Sequence, residues 1–242
     1  MSKKIIRKVG KAVHDFGLID DGDNILVALS GGKDSYTMLD ALIELQKRAP
    51  VKFKLTGITV ESGFDGFKWQ KIEEYCKSRN VPYIIKHTTI YDIIEDNIKP
   101  NTSFCSFCAR LRRGVLYTFA YENGYNKIAL GHHGDDFIET VLMNMFYNGQ
   151  LKAMSPRHVA KDKRNIVIRP LVYVLEREII PFARKAGFPV ICCACPICHT
   201  VESKRKVTKK LLTTLEKENP DIRRNMLTSL TNLVPEYFLN KV

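Results

Sequence analysis

Apolar residues recur along the chain with two periods. Ile5, Ile6, Val9, Val13 and Phe16 fall on one face of a helix, which places an N-terminal helix within residues 1–22. The apolar run "NILVALS" (24–30) ends at a glycine pair and predicts a buried strand. "DSYTMLDALIELQKRAP" (34–50) then carries Met38, Leu39, Leu42 and Leu45 at helical spacing and stops at a proline. Further strands are predicted at "FKLTGITV" (53–60), "PYIIKHT" (82–88), "NKIALGHH" (126–133) and "NIVIRPLVYV" (165–174). Helical patterns stand at "GFKWQKIEEYCKSRN" (66–80), "RRGVLYTFAYENGY" (112–125), "DDFIETVLMNMFYNG" (135–149) and "EREIIPFARKAG" (176–187). Strands alternating with helices imply an α/β fold with a parallel sheet covered on both faces. After Pro189 the pattern changes to a cysteine-rich turn and two amphipathic helices, near 202–217 and 220–233. The expected organisation is an N-terminal helix (1–22), an α/β domain (23–188) and a Cys-rich, basic helical extension (189–242).

Composition narrows the class. With 242 residues, 45% of them hydrophobic, the chain can bury one sizeable core plus a small appendage. No apolar run approaches the roughly 20 residues of a transmembrane helix. The N-terminus has basic residues but no continuous apolar segment, so it does not read as a signal peptide. A cytoplasmic location follows as an expectation, with no membrane partner. In that reducing compartment clustered cysteines point to metal binding or catalysis rather than cross-links, and this chain has seven. The net charge is +12, concentrated near the N-terminus, at Arg110, Arg112 and Arg113, and along residues 204–210, which include Lys204, Arg205 and Lys209. Such basic faces suit a polyanion such as RNA or DNA; they equally serve solubility.

In an open parallel sheet ligands bind beyond the carboxyl ends of the strands. Three distinctive segments fall there. The first, "SGGKDS" (30–35), joins strand to helix. Gly31 and Gly32 permit a tight turn with exposed N–H groups, and the helix behind offers the positive end of its dipole to a phosphate. Lys33 adds a cation, and Ser30 and Ser35 add hydroxyls. Asp34 is repulsive at an anion site unless a metal bridges it, and Mg²⁺ held by one carboxylate and substrate phosphates is the usual solution. The spacing matches neither the Walker loop nor the dinucleotide fingerprint. It resembles the PP-loop of the N-type ATP pyrophosphatases, a Rossmann-like superfamily, and the resemblance implies cleavage of ATP between its α- and β-phosphates with transfer of AMP to an oxygen.

The second segment, "GHHGDD" (131–136), offers Gly131, His132, His133, Asp135 and Asp136 at a strand end. A carboxylate there can help hold Mg²⁺ and a histidine can touch the reacting phosphate; Asp135 can instead cap the helix that follows. The third is the Cys-rich turn after the fifth strand, and a further cysteine pair lies earlier in the chain. Cys105 and Cys108 are read as preceding a helix whose N-terminus and arginines lower thiol pKa values. Cys195 and Cys198 form a second pair in "CCACPICH" (192–199). Two such pairs suit a four-cysteine zinc site, whereas one pair plus a single further cysteine suits an iron–sulfur cluster with an open iron. Spacing alone does not decide between them. Cys76, inside a helical pattern, reads as packing, and Cys192 and Cys193 as packing, an accessory thiol or a further ligand.

The order of "SGGKDS", "CSFCARLRRGVLY", "IALGHHGDDFIETVLMNMFYNG" and "IVIRPL" resembles the tRNA 2-thiocytidine synthetases, from about residue 5 to "NLVPEYF" near the end. The resemblance implies ATP-dependent thiolation of a cytidine at position 32 of the anticodon loop, with a 2-thiouridine synthetase or a zinc-bearing PP-loop ligase as alternatives. It implies ATP and Mg²⁺ on Ser30, Gly31, Gly32, Lys33, Asp34 and Ser35, with Val60, Gly131 and His132 near the nucleotide, and Lys33, Asp34 and Asp135 as catalytic groups. It further implies a 4Fe-4S cluster held by Cys105, Cys108 and either Cys195 or Cys198, of which Cys195 is favoured because it precedes Pro196. Arg110, Arg112, Arg113, Lys204, Arg205 and Lys209 are expected to hold tRNA phosphates. A homodimer and a sulfur donor (a cysteine desulfurase or free sulfide) complete the expectation. The chain departs from the family pattern at Gly134, where an arginine is frequent, at His199, where glycine is frequent, and in "VESGFDGF" (60–67).

Overall fold

A computed structural model describes residues 3–98, 104–160, 163–191, 194–195 and 204–237. Cys192, Cys193, Cys198 and His199 lie outside the described residues. The chain divides into two compact units, Met1–His133 with Ser155–Val201, and Gly134–Met154 with Glu202–Val242.

The first unit holds a six-stranded sheet. Its strands are β1 (Asn24–Ala28), β2 (Lys54–Glu61), β3 (Tyr83–His87), β4 (Lys127–Ala129), β5 (Arg157–Val159) and β6 (Ile166–Ile168), in the spatial order β3-β2-β1-β4-β6-β5. Every pairing is parallel except β5 with β6. The expected parallel sheet is therefore present, with an antiparallel edge strand that the sequence pattern did not reveal, because β5 has only three residues and is exposed throughout. The strand expected over 165–174 shortens to Ile166–Ile168, since Pro170 has no N–H to continue the ladder.

The helices of this unit are α1 (Lys3–Asp15), α2 (Lys33–Gln46), α3 (Gln70–Ser78), α4 (Ile90–Asn97), α5 (Phe104–Glu122) and α7 (Glu176–Ala186). Two differ from expectation. The short helix α4 was not expected; it exists because Ile90 and Ile94, one turn apart, enter the core. Helix α5 begins well before residue 112, so Cys105 and Cys108 lie inside its first turns rather than ahead of it. Phe104, Phe107, Cys108 and Leu111 explain the extension: each packs on the core formed by Leu26, Ile58, Val60, Ile90, Ile94, Leu116 and Ile128. Lys127 on β4 is buried, but its ammonium pairs with Asp20 at 2.7 Å and Asp23 at 2.6 Å, which ties the start of the sheet to the loop after α1.

The second unit gathers α6 (Gly134–Asn148), α8 (Lys204–Glu218) and α9 (Ile222–Ser229). Buried arginine and carboxylates hold it: Arg223 donates to Asp135 and to Glu216, each at 2.8 Å. Among the described residues no helix is long and apolar enough to cross a membrane.

Candidate active site

Residues 30–35 sit where β1 hands over to α2. Gly31 has φ +79, and a Cβ there would stand 2.3 Å from Cγ1 of Ile191. The Ile191 N–H donates to the Gly31 carbonyl at 3.0 Å, so loop and late segment are fastened together. Gly32 is the N-cap of α2 and provides no side-chain cap, which leaves the helix's first N–H groups to a ligand. Ser35 Oγ donates back to the Gly32 carbonyl at 2.8 Å, and Ser30 Oγ lies 3.4 Å from the Gly32 N–H, so both hydroxyls brace the turn. Gly131, beyond β4, lies against the same loop: a Cβ there would come within 3.2 Å of Ser35 N and 3.3 Å of the Asp34 carbonyl carbon. Gly131→Ala should push the loop backbone aside, at about 1–3 kcal/mol of overpacking, and lower ATP affinity about tenfold through a few tenths of an ångström of misplacement. Calorimetric titration with ATP checks this; unchanged affinity would remove Gly131 from the site.

Charges converge on the loop. Lys33 Nζ reaches Asp34 Oδ2 at 3.2 Å and Glu176 Oε1 at 3.0 Å. Burial works against the Lys33 ammonium, but the Glu176 hydrogen bond and the charges of Asp34 and Glu176 prevail and lift its pKa above the ordinary lysine value. Asp34 Oδ1 is shut off from water, has no hydrogen-bond partner and stands 3.9 Å from His133 Nε2. A buried carboxylate oxygen of this kind beside a phosphate cradle fits a Mg²⁺ ligand. Glu176 was missed by sequence reasoning; its one signal is an acidic residue opening the helix after β6. Arg169, in "IVIRPL", was given no role, yet its Nε–H donates to His132 Nδ1 at 3.2 Å. Burial, with Arg113 nearby, pulls the Arg169 guanidinium below its ordinary pKa.

The cysteines surround a cavity of about 180 Å³ lined by Cys105, Cys108, Cys195, Ser30, Val60 and Arg112 among others. The loop's first serine thus shares one cavity with three thiols separated by up to 90 positions. Phe64, Phe67 and Phe104 supply an apolar wall. Burial pushes the Cys108 thiol up, against Arg112 and a hydrogen bond with Ser62. The expected lowering of thiol pKa by helix and arginines does not hold for Cys108, because desolvation outweighs the guanidinium. Among the described residues no group of three His, Cys, Asp or Glu side chains stands close enough to hold a metal ion, and Cys192, Cys193 and Cys198 lie outside those residues. Three thiols spaced around a cavity suit a polynuclear cluster.

Other expected residues separate by role. Arg110 is exposed and lies over the Phe107 ring at 4.8 Å; Arg113 is exposed; Arg112 is half-buried at the cysteine cavity. In the second unit Asp135 and Asp136 occupy the first turn of α6, which starts at Gly134, so Asp135 favours the helix dipole but is not the cap. Asp135 is held by Arg223, and Arg205 pairs with Asp136 at 2.9 Å and Glu139 at 3.7 Å. Lys204 lies over the Tyr147 ring at 4.6 Å, and Lys209 lends positive potential near Glu139.

Comparisons with known proteins agree with this geometry. Residues 1–191 match the model of the PP-loop domain family. The tRNA-cytidine(32) 2-sulfurtransferase of Geobacter sulfurreducens is 55% identical over 238 residues, 98% of this chain and 93% of that protein. The protein of the same name from Cupriavidus pinatubonensis is 44% identical over 98% of this chain and 76% of its own length. Among solved structures, the U34-tRNA thiolase NcsA from Methanococcus maripaludis, described with its 4Fe-4S cluster, superposes with a TM-score of 0.78 at 25% identity, covering 99% of this chain and 80% of that one. With the family model matched over residues 1–191 and a relative 55% identical over 98% of its length, this chain belongs to the PP-loop family and, within it, to the tRNA-cytidine(32) 2-sulfurtransferases.

Proposed function

We propose that the protein uses ATP to replace the 2-oxygen of cytidine 32 in tRNA by sulfur, and that Ser30 to Ser35, Cys105, Cys108 and Cys195 form the reacting centre. The observation that carries this reading is the single cavity shared by Ser30 and the three cysteines. ATP seats its β- and γ-phosphates on the N–H groups of the loop, with Lys33 as cation and Glu176 fixing the lysine's direction. Asp34 Oδ1 would hold Mg²⁺, which would offset charge at the phosphates. The 2-carbonyl oxygen of the base attacks the α-phosphorus; the bond to the β-phosphate oxygen breaks, and pyrophosphate departs with its charge held by the loop and Lys33. Sulfide-level sulfur supplied by a donor outside the chain then bonds to carbon 2 and gives up its proton, and the adenylated oxygen leaves as AMP. Cys105, Cys108 and Cys195 would hold a 4Fe-4S cluster, which would supply sulfur delivery when bound. The apolar wall of Phe64, Phe67 and Phe104 limits water at the activated base, which hydrolysis would otherwise waste. Cytoplasm is the compartment that keeps such thiols reduced.

Anaerobic purification followed by metal analysis, and nucleoside analysis of tRNA treated with the protein, tests the reading. Iron and sulfide in equal amounts, no zinc, and new 2-thiocytidine are expected. A colourless protein with stoichiometric zinc, or 2-thiouridine as the product, overturns it. Loop bases are reachable in RNA because they unstack, and the exposed Arg110 and Arg113 hold the flanking phosphates. The double variant Arg110→Ala/Arg113→Ala should weaken binding of all tRNAs alike and flatten the dependence of log affinity on log salt by about one per lost contact. An unchanged salt slope would remove both arginines from the interface.

A further inference from the structure

A phosphate loop and a sulfur-delivering cysteine set act on any base that carries a 2-carbonyl, uracil included. Selection of cytosine must lie elsewhere. Beside the cysteine cavity is a second one, of about 220 Å³, lined by Glu61, Phe64, Phe67, Trp69 and His87 among others. Glu61, Phe64 and Phe67 border both cavities. The rings stand on the loop after β2, a half-buried set presented to solvent rather than to the core. Phe64 is itself steadied by Tyr91 at 5.0 Å and Phe104 at 6.4 Å, and Trp69 meets His87 edge-on at 5.8 Å. Aromatic rings are what unstacked bases lie against.

Glu61 closes β2, and its side chain is 13% exposed. Oε1 accepts the Gly63 N–H at 2.6 Å, while Oε2 stands 3.5 Å from His87 Nδ1. The Gly63 N–H orients the carboxylate, His87 stands beside its other oxygen, and a carboxylate is an acceptor only. In cytosine the 2-carbonyl and the 4-amino group flank N3 on one edge of the ring. A residue bordering both cavities can accept from the 4-amino group while carbon 2 faces Ser30 and the cysteines. Uracil offers oxygen at position 4, and oxygen against carboxylate repels.

We propose that the cavity of Glu61, Phe64, Phe67, Trp69 and His87 receives the target base, and that Glu61 selects cytosine over uracil by accepting from its 4-amino group. The proposal rests on the thiolation reading above. Trp69 is the chain's single tryptophan, so its fluorescence reports entry of a base directly, without turnover. The full chain is titrated with anticodon stem-loops carrying C or U at the target position. Quenching by the C form at about tenfold lower concentration than the U form is expected. In Glu61→Gln the side-chain carbonyl retains the Gly63 N–H and turns an amide donor to the base, so the preference should vanish or invert. Phe67→Leu should weaken both stem-loops equally and keep the preference. Equal quenching by C and U in the unsubstituted protein, or an intact preference in Glu61→Gln, overturns the proposal. The thiolation assay on the same preparation separates the two failures. Formation of 2-thiocytidine without a C/U difference in quenching defeats the pocket alone; absence of any thiolated cytidine defeats the underlying reading, and the proposal with it.

Discussion

Replacing Cys105, Cys108 or Cys195 by alanine should abolish thiolation while leaving ATP binding and pyrophosphate release measurable. In the proposed function the two half-reactions draw on different residues, the loop for adenylation and the thiols for sulfur. Cys105 is exposed and the other two are half-buried, so each substitution removes little packed volume. The expected loss of stability is about 1 kcal/mol or less. Cys76 is the control. It is fully buried, and burial, assisted by the Glu73 charge, pushes its thiol up to about 12, which keeps it protonated and unreactive. Cys76→Ala should lower the melting temperature by a few degrees and keep the iron. Iron content, pyrophosphate release and 2-thiocytidine yield, measured on each variant, decide the matter. Full thiolation by Cys105→Ala would end the assignment of that thiol to sulfur delivery, whatever the other variants did.

Five of the six strands and the loop were legible because each is a local pattern: a short apolar run, followed after β1 by Ser-Gly-Gly. Glu176 was not legible because its partner Lys33 is more than a hundred residues away, and a glutamate opening a helix already has a sufficient local explanation in the helix dipole. Arg169 escaped for the same reason; its partner His132 lies on a different strand end. The early start of α5 was hidden by chemistry. Cys and Ser around Phe104 and Phe107 weaken the apolar period, and only tertiary packing of those phenylalanines shows that the segment is helical. The charge run near residue 205 was legible as basic but not as paired: Arg205 is bound to carboxylates of α6, which no spacing rule predicts. Cys105 and Cys108 were visible as a pair, whereas their meeting with Cys195 and Ser30 is a property of the fold.

Asp34→Asn should separate stability from function more sharply than any other single change. The substitution keeps the size of the side chain and removes its charge. Without metal, Asp34 Oδ1 is a buried carboxylate oxygen with no hydrogen-bond partner, a state that disfavours the folded protein. Lys33 retains Glu176 at 3.0 Å, so loss of the Asp34 charge does not strand the ammonium. The metal-free variant should therefore melt at the same temperature as the unsubstituted protein or higher, as expected where a site is strained for its task. Catalysis should move the other way. A Mg²⁺ that stabilises charge at the phosphates contributes several kcal/mol, so pyrophosphate release should fall about a hundredfold or more. Magnesium should also raise the melting temperature of the ATP-bound unsubstituted protein and add nothing to that of the variant, because only a ligand that prefers the folded state stabilises it. Near-normal pyrophosphate release by Asp34→Asn at saturating magnesium would take the metal away from Asp34 and return this carboxylate to a purely structural part in the loop.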